Sequence, residues 1–77
     1  MASYYGKYNI RINSISPGGI KEINHPSSFI KKYIAKVPLK RFCTSKDVSG
    51  AALFLSSDLS SYITGTTLKV DGGWTAI

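Results

Sequence analysis

The sequence predicts an α/β fold built on two parallel strands, and three observations carry that reading. Ile10 and Ile12 alternate with Arg11 and Asn13 at the period of a strand, and Leu68 and Val70 alternate in the same way around Lys69. Between these runs Ile30, Tyr33, Ile34 and Val37 recur at helical spacing, as do Val48, Ala51, Ala52 and Leu55. Helices placed between two strands make a right-handed parallel crossover the natural connection.

Each element has a local reason. Residues 1–8 read as the end of a truncated helix, with Tyr4 and Tyr5 in its last turn and Gly6 suited to the left-handed C′ position. The first strand is expected over 9–16, where Pro17 stops the ladder because it lacks a backbone donor. Residues 17–43 form a loop, a helix and a basic connector. Pro26 fixes the start of that helix, Ser27 or Ser28 offers a capping hydroxyl, and Pro38 ends it. Leu39 and Phe42 are the connector's two apolar anchors. Thr44 with Asp47 three residues on has capping-box spacing and opens a helix over 44–58. The small Ala51 and Ala52 on its inner face imply close packing. The last strand is expected over 66–71, with Leu68 and Val70 against Ile10 and Ile12, ending at Asp71, Gly72 and Gly73.

Composition narrows the function classes. With 77 residues the chain makes at most one small domain, and its 43% hydrophobic content fits a packed core better than disorder. The net charge of +6 raises the question of nucleic acid. Lys31, Lys32 and Lys36 punctuate one helix, however, and no nucleic-acid reader motif accompanies them, so the charge reads as a solvated face. The lone Cys43 cannot form an internal disulfide, and His25 lies in an Asn-His-Pro loop with no spacing that pairs the two, so neither is assigned chemistry. No run approaches the roughly 20 apolar residues of a membrane helix, and the expectation is a cytoplasmic protein with no membrane or nucleic-acid partner.

Function is expected where the first strand ends, because open α/β sheets bind ligands at the carboxyl ends of their strands and glycines there admit a ligand to the backbone. Gly18 and Gly19 occupy that place.

The segments INSISPGG, PLKR, DVSGAALFLSSD, SSYITG and VDGGW, in this order and spacing, closely resemble the C-terminal third of short-chain dehydrogenases/reductases. The resemblance covers essentially the whole chain. It implies the C-terminal part of a doubly wound Rossmann-type parallel sheet, two parallel strands with crossover helices, incomplete on its own. It also implies hydride transfer with NAD or NADP in the complete protein, a small-molecule substrate, and dimers or tetramers whose interface uses the last helix and last strand. The family's glycine-rich phosphate turn is missing, as are its serine and its tyrosine followed four positions later by lysine. Tyr4 is followed at that spacing by Tyr8, and Tyr5 by Asn9. No catalytic residue or metal ligand is therefore assigned, and cofactor binding by this chain alone is not expected.

What the resemblance carries over is Pro17, Gly18 and Ile20, matching the segment whose backbone flanks the nicotinamide and meets its carboxamide, with Gly19 allowing close approach. Where many members place a cofactor-contacting threonine this chain has Glu22, whose carboxylate would repel a diphosphate. Three functions stay open at this point. The chain is a fragment of an oxidoreductase, inactive alone, whose partner is the missing N-terminal half or a second copy. Alternatively it is an interaction module that binds full-length relatives through the oligomer interface. The third is a basic nucleic-acid binder, marked by steep salt-dependent retention on DNA.

Overall fold

A computed structural model describes residues 1–20 and 25–76. Helix α1 (Ala2–Tyr5) tightens into a 3-10 turn at Gly6–Tyr8, strand β1 is Ser14–Pro17, and helices α2 (Ser27–Lys36) and α3 (Ser45–Ser56) follow. A 3-10 turn at Asp58–Ser60, strand β2 (Thr67–Val70) and a last 3-10 turn at Trp74–Ala76 complete the chain. The left-handed residue after α1 is Asn9 (φ 59°), whereas Gly6 is right-handed at φ −58°. The expected cap at Gly6 fails because the helix continues as a 3-10 turn, and the reversal falls three residues later on an asparagine, which tolerates that region.

The two strands are parallel, with Ser14 opposite Thr67, Ile15 opposite Leu68, Ser16 opposite Lys69 and Pro17 opposite Val70. This corrects both the expected span of 9–16 and the expected pairing of Ile10 and Ile12 with the last strand. Residues 12 and 13 are bonded to the loop before β2 instead. The Ile12 N–H donates to Thr64 Oγ1 and its C=O accepts from the Gly65 N–H, while the Asn13 amide donates to Ile63 C=O and accepts from the Thr66 N–H. Pro17 belongs to the strand because of ladder parity. Ser14 N–H donates to Thr66 C=O at 3.0 Å and Gly18 N–H to Val70 C=O at 2.8 Å, so the nitrogen of Pro17 lies on the edge away from β2, where its missing hydrogen costs this ladder nothing.

Helix α2 is entered through Pro26 at its N-cap with no side-chain cap bond, so the expected serine cap is not made. Helix α3 carries the full capping box: Thr44 Oγ1 accepts from the Asp47 N–H and Asp47 Oδ2 accepts from the Thr44 N–H. Arg41 grips the same carboxylate in two places, at 2.7 and 3.2 Å. That guanidinium, helped by the Thr44 backbone and side-chain donors, holds the Asp47 carboxyl well below the usual range. Ala51 is half-buried on the inner side of α3 but Ala52 is exposed, and α3 gives way at Ser57 to the 3-10 turn rather than continuing to 58.

Arg11, an outward residue by alternation, turns inward. Its guanidinium donates to the carbonyls of Leu55, Ser57 and Ile63 and to Ser60 Oγ, at 3.0 to 3.3 Å. One side chain thereby serves two of the carbonyls at the end of α3, those of Leu55 and of the cap residue Ser57.

Among the described residues Val37, Phe42 and Ser60 are buried. Leu39, expected as an anchor, is 64% exposed. The radius of gyration is 15.5 Å, against about 11.5 Å for a compact domain of this length. The accessible surface is 5913 Å², against roughly 4,600 Å² for a compact monomer of this mass. No described helix is long and apolar enough to cross a membrane.

Candidate functional site

Parallel pairing sets the carboxyl ends of β1 and β2 side by side, so Gly18 and Gly19 leave one strand next to Asp71, Gly72 and Gly73 leaving the other. The neighbours are close enough to exclude side chains. A Cβ on Gly18 would stand 2.9 Å from Asp71 Cα, and one on Gly19 would stand 2.7 Å from the Tyr33 ring, both below ordinary contact.

Both polar groups of Gly19 are bonded. Its N–H donates to the Tyr33 hydroxyl at 2.8 Å, and its C=O accepts from the Cys43 N–H at 2.9 Å. The second bond belongs to an isolated parallel bridge between Ile20 and Cys43. Ile20 is 48% exposed.

Tyr33 reaches this turn from α2 as the middle of an aromatic stack. Its ring lies 4.5 Å from Phe42 and 5.3 Å from Trp74, inclined by 20° and 12°. His25 extends the cluster through Phe29, with ring centroids 4.7 Å apart. Asp71 finishes the other strand. Its carboxylate accepts from the Thr75 hydroxyl at 2.7 Å and from the N–H groups of Gly73 and Thr75, and the Thr75 hydroxyl contributes most to holding this carboxyl below its ordinary range. A cavity of about 220 Å³ opens between Gly18, Gly19, Tyr33, Asp71 and Trp74. A larger one of about 470 Å³ adjoins it across Tyr33, bounded by Pro38, Phe42, Cys43 and Gly73.

The space in front of both glycines is taken by the chain itself, Asp71 at Gly18 and Tyr33 at Gly19, and the smaller cavity, lined by Pro17, Gly18 and Gly19, is where the nicotinamide end of a dinucleotide would fit. Of the two cations lining the larger cavity, Arg41 is paired with Asp47. Of the residues singled out in the sequence, Pro17, Gly18 and Gly19 sit together at the strand end and Ile20 stands beside Cys43. Cys43 contributes its backbone N–H, while its thiol points to Thr44 C=O at 3.6 Å. Glu22 lies outside the described residues. No group of three or more metal-ligating side chains occurs among the described residues. The residue that periodicity alone misses is Tyr33, read only as part of an apolar stripe. The signal was its chemistry, because a tyrosine among isoleucines and valines brings a hydroxyl that needs a partner.

Comparison with known proteins gives a consistent picture. The profile of the family described as enoyl-(acyl carrier protein) reductase matches residues 1–75. The chain is 42% identical to trans-4-hydroxycyclohexanecarboxylate dehydrogenase of Sinomonas cyclohexanicum, over 92% of this chain and 27% of that protein. Its fold superposes on a short chain dehydrogenase from Leptospira borgpetersenii with bound NAD+, with a TM-score of 0.90 at 50% identity, covering 96% of this chain and 29% of that one. A protein from Agrobacterium tumefaciens described as a 2-deoxy-D-gluconate 3-dehydrogenase, with bound NADP, gives a TM-score of 0.89 at 36% identity, covering 99% of this chain and 33% of that one. The chain thus spans a third or less of the length of these relatives.

Proposed function

The chain belongs to the short-chain dehydrogenase/reductase family, and on that premise we propose that it is the nicotinamide-side, C-terminal portion of an NAD(P)-dependent oxidoreductase acting on a small molecule, incomplete and inactive by itself. The observation that carries this reading is the cavity at the carboxyl end of β1, lined by Pro17, Gly18 and Gly19. The cofactor, when bound, supplies the hydride exchange. The residues of this chain bind and orient: the backbone of Pro17, Gly18, Gly19 and Ile20 lines the nicotinamide side of the site. The extended shape and sparse core support an incomplete body, because parallel sheets are buried on both faces and need neighbours at their edges.

A second reading, an interaction module that binds full-length relatives, draws on the exposed Leu53, Leu59 and Tyr62 along α3 and the turn after it. Co-purification with a separate full-length relative favours it. Coding sequence continuing upstream of Met1 into a tyrosine-x-x-x-lysine and a glycine-rich turn favours the first. The direct test grafts the chain into the Leptospira relative in place of the matching segment and titrates NAD+. Gly18→Val is expected to weaken binding by tenfold or more, about 1.4 kcal/mol, with little change for Ser14→Ala. Equal affinities in a folded Gly18→Val protein would make the turn a strand terminator only. The chain alone is expected to show no NAD(P)H turnover above a blank with carbonyl substrates.

A further inference from the structure

We infer that Tyr33 is a positioning residue of the nicotinamide-side turn, its hydroxyl accepting from the Gly19 N–H and so fixing the backbone of the turn beside the smaller cavity. The inference rests on the cofactor-side reading of that turn. Gly19 is held from two directions, by Tyr33 on α2 and by Cys43 on the connector after it. Of the two bonds only the first depends on a side chain. The hydroxyl is placed by the ring rather than by chance: Phe42, 8% exposed, stacks on one side at 4.5 Å and Trp74 on another at 5.3 Å. The side chain also fills the space a Gly19 Cβ would need, with two ring atoms and the hydroxyl within 2.9 Å of that position. Glycine and tyrosine therefore form a matched pair, in which the small residue lets the large one reach its backbone.

The test uses the grafted protein carrying all 77 residues, with Tyr33→Phe, Tyr33→Leu and Gly18→Val compared by NAD+ titration, and with the Gly19 amide followed by nitrogen-15 NMR. Tyr33→Phe keeps the stack and removes only the acceptor. It is expected to weaken NAD+ five- to tenfold, to speed exchange of the Gly19 amide by a similar factor, and to leave the Gly18 amide, bonded to Val70, unchanged. Tyr33→Leu should lose at least as much affinity and some thermal stability as well. If Gly18→Val weakens NAD+ while Tyr33→Phe stays within twofold of the parent, the positioning role is wrong and the turn reading stands. If neither variant affects NAD+, the turn reading itself fails. Unchanged Gly19 exchange in Tyr33→Phe overturns the bond even where the graft binds no cofactor.

Discussion

The two ends of this chain are built differently. At the carboxyl ends of the strands, Val37 and Phe42 are buried, Tyr33 stacks between rings, and the backbone of the turn is bonded to side chain and connector. Along α1, α3 and the turn after α3, Tyr4, Leu53, Leu59 and Tyr62 stand 55 to 101% exposed. The first region buries part of its own apolar surface, and the second leaves large apolar side chains exposed.

The largest effect expected from this contrast is on assembly. The isolated chain should sediment with a mass that grows with concentration, and Leu53→Lys with Leu59→Lys should shift it towards monomer, since those side chains form part of the unpartnered apolar surface. A monomer that melts cooperatively would break the contrast. In the grafted protein Phe42→Ala is expected to cost about 3 kcal/mol by chemical denaturation, since it removes a buried ring. Glycines sharpen the comparison further. Gly19→Ala, driven into the Tyr33 ring, should cost roughly 1–3 kcal/mol, whereas Gly50→Ala, with nothing within 4 Å on α3, should stabilise by roughly 0.5–1 kcal/mol. Thr44→Ala should cost about 1 kcal/mol through the lost cap.

The smallest effect concerns Asp71. Its carboxyl is held below the ordinary range by Thr75 and the neighbouring N–H groups, so its contribution is present above the unfolded-state pKa and is lost as pH falls through the folded one. Thermal midpoints of Asp71→Asn and parent should therefore converge at acid pH. A constant gap across the acid range would remove Asp71 from the account.

Much of this was legible in the sequence. The parallel crossover, the Thr44–Asp47 box and the placing of Gly18 and Gly19 at a strand end all follow from local pattern. The register was not legible, because Ile10 and Ile12 alternate as a strand would while the bonds of residues 12 and 13 are taken by Thr64, Gly65, Ile63 and Thr66, some 50 residues away. Arg11 was hidden for the same reason: alternation says which side a residue leaves the backbone, and a long guanidinium can turn back to distant carbonyls. Tyr33 belongs to both classes, since its stripe position was visible and its partner was not.

Pro17 leaves one more mark on the molecule. Towards β2 the ladder of β1 runs unbroken through Gly18, but on its other edge, unpaired among the described residues, the donors stop at Ile15. A strand laid against that edge would find a donor at Ile15 and only an acceptor at Pro17, so the ladder thins on that flank just before the two glycines.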